Sequence, residues 1–169
     1  MESWQVIAGI AVVSLLLLGR TRKAKPSRSR TPASGPRGTY PGDYKGKVTL
    51  EYSPKPNSSP DPGEVVWAWV PFEEDARKGK DRPVLLIGRD GTWLLGLMLS
   101  SKDHDNDPTP YGRWMDIGAG PWDRQRRPSE VRLDRIVRID PRAVRREGAT
   151  VPLATFDAVS RSLLRLHHW

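Results

Sequence analysis

Residues 63–100 read GEVVWAWVPFEEDARKGKDRPVLLIGRDGTWLLGLMLS, and three apolar runs within them decide the fold. The first, EVVWAWV, is rich in β-branched and aromatic residues and is bounded by Pro62-Gly63 and Pro71, the pattern of a buried strand. A polar loop, FEEDARKGKD, leads to the second run, RPVLLIG. Only the Arg89-Asp90-Gly91 turn parts it from the third, TWLLGLMLS, which predicts an antiparallel hairpin. A polar excursion follows from Ser101 to Arg113, and then WMDIG, EVRLD and IVRID predict three shorter strands. Near the C-terminus the period changes. Leu153, Phe156, Val159, Leu163 and Leu166 recur every three or four residues and mark one face of a helix. Many short strands and one terminal helix predict a mostly β (α+β) domain, a small barrel spanning residues 63–169.

The N-terminal third has a different character. Trp4 to Gly19, WQVIAGIAVVSLLLLG, carries no charge. As a helix it would span roughly 24 Å, and flanking residues that snorkel can make up the rest of a bilayer core. A cleaved signal peptide wants positive charge before such a run; here Glu2 precedes it and RTRKAKPSRSR follows. The order favours a transmembrane signal anchor over residues 1–19, ahead of a cleaved signal or a helix outside the membrane. By the positive-inside rule the C-terminal domain is then cytoplasmic. Residues 20–62, rich in Pro, Ser, Gly and Arg, read as a disordered tether with affinity for the membrane surface. Tyr40, Tyr44, Val48, Leu50 and Tyr52 interrupt that pattern, and VTLEY has the alternation of a short edge strand.

Charge follows the same division. Seven of the 28 Lys and Arg residues lie between Arg20 and Arg37, whereas residues 38–169 hold 21 basic against 19 acidic groups. The basic pI therefore describes the tether and is no evidence for nucleic acid. The chain has no cysteine, which excludes disulfides, thiolate catalysis and Cys-ligated zinc. Its three histidines, His104, His167 and His168, are too few and too scattered for a metal cluster.

The order PGEVVWAWV, polar loop, GKDRPVLLIG, a strand ending in LSS, and later RLDRIVRID resembles the MazF/PemK toxins over roughly Pro62 to Leu166. The resemblance implies an SH3-like barrel, usually a homodimer, that cleaves single-stranded RNA with neither metal nor cofactor and is neutralised by a cognate antitoxin. It also assigns residues. Arg82 matches the family arginine before the strand-opening proline, where a guanidinium can clamp a phosphate bidentately; as a surface arginine it would pair with Asp81 or Glu74. Ser100 matches the hydroxyl that ends the third strand, with Ser101 the neighbouring candidate and turn capping the alternative role. Arg132 and Asp134 match an Arg-x-Asp used as acid and base. Two apart on a strand, they face one side, and their other role is a structural ion pair. A guanidinium so close also competes with a substrate proton for the carboxylate.

Other residues stand outside the motif. His104 has a side chain suited to proton transfer but reads as a solvated loop histidine, and KDHDND offers carboxylates that could chelate a divalent cation without the full pattern of an EF-hand loop. For RNA contact, Trp122 in GPWDRQRRP reads as an exposed stacking platform, with Arg124, Arg126 and Arg127 to neutralise phosphates. The sequence also departs from the family: the loop EEDARKGK and the acidic excursion after Ser101 are unlike it, and acid repels RNA. Two functions are thus in view, a membrane-tethered toxin-like endoribonuclease and a catalytically silent SH3-like module that binds a protein or RNA partner at the membrane. An extracytoplasmic role comes third and requires the topology argument to fail.

Overall fold

The computed structural model describes residues 40–57, 59–106 and 112–169. The anchor expected over residues 1–19 and the tether up to residue 39 lie outside these. No helix among the described residues is long and apolar enough to cross a membrane.

The three runs that open the domain form β1 (Glu64–Pro71), β2 (Gly79–Asp90) and β3 (Trp93–Ser100), and β4 (Trp114–Ala119) follows the excursion. EVRLD and IVRID, expected as separate strands, are one continuous strand, β5 (Pro128–Ile139). A short 3-10 turn at Pro141–Ala143 leads to β6 (Arg146–Thr150), which the sequence reading did not anticipate, and the chain closes with α1 (Leu153–His167). The strands make one six-stranded sheet in the order β4-β5-β3-β2-β1-β6. It is a half-barrel with a C-terminal helix, where the sequence predicted a small barrel. The sheet curls enough for β5 to reach the end of β1 across the strands between them, where Arg135 Nη2 donates to the Pro71 carbonyl at 2.8 Å.

The β2–β3 hairpin turns where the sequence predicted. Asp90 pairs with Trp93, so Gly91 and Thr92 form a two-residue turn. Gly91 has φ +58° and Thr92 a negative φ, the arrangement of a type II′ turn, which favours glycine at its first central position.

Apolar side chains fill both faces of the sheet. One cluster includes Val65, Leu85, Leu97, Leu99, Val131, Leu133 and Ile136 under Phe156, Val159 and Leu163 of α1. The other includes Val66, Ala68, Val70, Val84, Leu86, Leu94, Met98, Val137 and Ile139, with Trp114 packed against it. Leu153, expected on the apolar face of α1, is 52% exposed because it occupies the first helical position, ahead of the turn that reaches the sheet.

Part of the expected tether belongs to the domain. Val48 is buried in the first cluster, and Tyr44, Leu50 and Tyr52 pack against it. This strap makes isolated bonds rather than the edge strand that VTLEY suggested: Tyr44 bridges to Ile136, and the Glu51 amide donates to the Ile87 carbonyl at 3.0 Å. It crosses β2 at Gly88, where a Cβ would come within 2.6 Å of the Thr49 carbonyl, so only glycine admits the crossing.

Candidate active site

The site is built on an irregularity in β5. Against β3, Ile136 pairs with Leu97 and Val131 with Leu99, so Met98 alone faces the four residues 132–135. The surplus is held from the other side, by pairing of Arg132 with Trp114 and by the Leu133 amide donating to the Arg113 carbonyl at 2.8 Å. Such bulges bend a strand and re-aim its side chains, and they are common beside active sites. Val131 and Leu133 enter the first cluster, so the alternating Glu130, Arg132 and Asp134 point to the face of the second.

There Arg132 and Asp134 meet as the spacing predicted. Arg132 Nε donates to Asp134 Oδ1 at 2.6 Å and Nη2 to Oδ2 at 3.2 Å, while Nη1 donates to Glu73 from the loop after β1. Arg113 Nε stands 3.1 Å from Asp134 Oδ2, close enough for an ion pair but without hydrogen-bond alignment. The Arg132 side chain is only 13% exposed. Burial works against its charge, but the hydrogen bonds to Asp134 and Glu73 outweigh it and raise the pKa above the ordinary arginine value.

Ser100 pairs with Glu130 across the β3–β5 ladder, and its Oγ accepts from the Lys102 amide at 3.0 Å. It therefore performs the turn capping anticipated for it and keeps its own O–H to donate. Arg82 pairs with Ala68 on one side. On the other, continuing the Val84–Met98 register by two residues brings it level with Ser100. Its side chain makes no hydrogen bond or ion pair among the described residues. Asp81, suggested as its partner, pairs instead with Arg145. Arg82, Ser100, Glu130 and Arg132 thus lie on neighbouring strands with side chains of the same parity, on the face that carries Met98 and Trp114.

His104 corrects the sequence reading, which took it for a solvated loop residue. Its Nδ1 is 2.5 Å from Glu130 Oε2, its amide donates to Glu130 Oε1 at 3.1 Å, and its side chain is 17% exposed. Its ring stacks on Trp114, with centroids 3.8 Å apart and planes 5° from parallel. The partner residue lies 26 positions away in the chain, so no local pattern announced the pair. His104, Asp105, Gly112, Arg113, Trp114, Asp116 and Glu130 line a cleft of about 260 Å³.

Carboxylate oxygens of Asp103, Asp105 and Glu130 come within 4.8 Å of one another, in part from the segment read as a possible cation loop. Both Glu130 oxygens also contact His104, and the three carboxylates form an acidic rim. Its mutual repulsion raises Asp105, through Asp103 first and then, after slight desolvation, Asp116 and Glu130.

Trp122 is not the exposed platform expected. It is 2% exposed in the first cluster, its indole donates to Ser129 Oγ at 3.1 Å, and its carbonyl accepts from the Trp67 indole at 3.1 Å. Gly120 permits this inward fold, since a Cβ there would meet the Trp122 ring at 2.2 Å. Arg127 pairs with Asp123 at 2.6 Å and holds that carboxyl below its ordinary range. Arg124 and Arg126 are exposed, with no side-chain partner among the described residues.

Residues 61–167 match a family model described as a PemK-like, MazF-like toxin of the type II toxin-antitoxin system. Among solved structures the chain is similar to a MazF from Deinococcus radiodurans, at 20% identity and TM-score 0.47, over 67% of this chain and 100% of that one. It is also similar to a MazE-MazF structure from the same organism, at 19% identity and TM-score 0.45, covering 65% and 96% of the two chains. A third is an endoribonuclease in complex with its cognate antitoxin from a mycobacterial species, at 13% identity and TM-score 0.47, covering 63% and 93%. No curated protein matches the sequence.

Proposed function

Because the chain belongs to the PemK-like, MazF-like toxin family of type II toxin-antitoxin systems, we propose that it is an endoribonuclease that cleaves single-stranded RNA without a metal. The observation that carries this is the Arg132–Asp134 pair on β5, held side by side on the face shared by Ser100 and Arg82. Cleavage through the ribose 2′-hydroxyl develops negative charge on the phosphoryl oxygens, and two guanidiniums and a hydroxyl supply donors for it. Arg132 and Arg82 are assigned to the scissile phosphate, Ser100 to one of its oxygens and Asp134 to holding Arg132. Arg124 and Arg126, free of partners among the described residues, are assigned to the flanking phosphates.

Membership of a toxin-antitoxin family supports a cognate antitoxin as partner and a homodimer as working unit. The uncharged run over residues 4–19 and the basic stretch behind it support attachment to the membrane, with the domain on the cytoplasmic side.

One observation favours the second reading, a silent binding module: Glu73 and Asp134 already engage three of the five N–H donors of Arg132. The two separate by incubating the full-length chain in mild detergent with a long single-stranded RNA in EDTA, beside Arg132→Ala and Asp134→Ala. Discrete fragments from the wild type, and a loss of a hundredfold or more in both variants, are expected of the nuclease. RNA left intact at high protein concentration would establish the binding module.

A further inference from the structure

Cleavage through the 2′-hydroxyl requires a group to take its proton, and Asp134 is poorly placed for that. Both of its oxygens accept from Arg132, and Arg113 stands beside one of them. His104 is better placed. Glu130 can only accept when ionised, so it fixes the proton on Nδ1 and leaves the Nε2 lone pair free. Nε2 makes no hydrogen bond among the described residues, and the ring lines the open cleft. Trp114, which holds the ring by stacking, pairs through its backbone with Arg132. Glu130, which holds the ring by hydrogen bonding, lies two residues before Arg132 and across from Ser100. A carboxylate orienting an imidazole through Nδ1, with Nε2 toward the substrate, is an arrangement that produces a general base on unrelated folds.

We propose that His104 is the general base of RNA cleavage, with Glu130 as its positioning residue; the inference rests on the nuclease reading above. The 2′-hydroxyl gives its proton to Nε2 as its oxygen bonds to phosphorus. The bond from phosphorus to the 5′-oxygen breaks, and that oxygen takes a proton from solvent. The products are a 2′,3′-cyclic phosphate and a 5′-hydroxyl, and His104 returns its proton to water. The charged groups around the ring are Asp103 and Asp105 from its own loop, Arg113 and Asp116 at β4, and Glu130 from β5.

The test measures cleavage by the full-length wild type, His104→Ala, His104→Gln, Glu130→Gln and Arg132→Ala, with and without millimolar imidazole. The rate of His104→Ala is expected to fall a hundredfold or more and to recover in part with imidazole, which does nothing for Arg132→Ala. His104→Gln keeps a planar group over Trp114 and a donor for Glu130, and is expected to lose as much. Glu130→Gln is expected to lower kcat and leave KM unchanged. A wild-type rate in His104→Gln, or a loss in His104→Ala that imidazole cannot restore, would overturn the assignment of His104 alone. RNA left intact by the wild type would overturn the nuclease reading and this assignment together.

Discussion

Glu73 and Asp134 hold three of the five N–H donors of Arg132, and a phosphate that takes a bidentate grip on it competes with one of the carboxylates. Glu73 is the one to leave. It is half exposed and comes from a loop, whereas Asp134 is fixed two residues away on the same strand. A half-exposed ion pair is worth roughly 0.2–1 kcal/mol, so Glu73→Gln is expected to tighten RNA binding by up to about fivefold. Fluorescence anisotropy with a short 2′-O-methyl RNA, which cannot be cleaved, reads this directly, and unchanged binding would show that Glu73 does not compete. Trp122 behaves in the opposite way. Its ring fills the core, so Trp122→Ala is expected to cost about 3–5 kcal/mol in denaturant unfolding. RNA affinity of the folded fraction should not change. The sequence could not separate these cases: Trp122 stands among exposed arginines, and what buries it is the missing side chain at Gly120. His104 was misread for a similar reason, because its burial comes from Glu130 and Trp114, both remote in the chain.

Among the elements, those with a strong period were legible and those held by their neighbours were not. β1 to β3 announce themselves by apolar runs, and α1 by its three-to-four spacing. The spacing of Arg132 and Asp134 was equally plain, since adjacency at two residues follows from the pleat alone. β6, whose sequence is REGAT, has no apolar pattern and exists because β1 offers it a free edge. The strap before β1 was hidden in proline-rich sequence, and tertiary bonds hold it. Asp43 shows how. Burial alone would raise its carboxyl, but Arg135 at 2.8 and 3.2 Å and the Tyr40 hydroxyl at 2.7 Å outweigh it and hold the pKa below 3.8. A group lowered on folding contributes fully above its ordinary value and loses that contribution as acid protonates the folded carboxyl. Stability should therefore fall as pH drops below about 4, and Asp43→Asn should flatten that slope in urea unfolding measured at a series of pH values. Gly88→Val tests the strap at its crossing. The added side chain meets the Thr49 carbonyl, so a loss of about 1–3 kcal/mol is expected, with faster hydrogen exchange at the Glu51 amide. An unchanged exchange rate would mean that the strap does not need this contact.

On the scale of the whole molecule, the charge is divided unevenly along the chain. Residues 20–37 carry seven basic groups and no acid, whereas the domain that follows is nearly neutral, with an acidic rim beside its arginine-lined site. A uniformly basic nuclease would hold any RNA it met. Here most of the net positive charge lies outside the domain, where it suits an anionic membrane surface, and RNA binding as proposed relies on a few placed arginines. The proposed orientation puts the basic stretch on the cytoplasmic side of the apolar run. The absence of cysteine makes the orientation measurable, since one introduced thiol reports without background. In intact cells treated with a membrane-impermeant maleimide, Ser3→Cys is expected to be labelled from outside, and Ser29→Cys only after the membrane is opened. The reverse pattern would place the domain outside the cytoplasm, away from cellular RNA, and would remove the nuclease's substrate along with the reason for the basic stretch. Labelling of both positions in intact cells would show that residues 4–19 do not span the bilayer, and the basic stretch would then act as a surface tether alone.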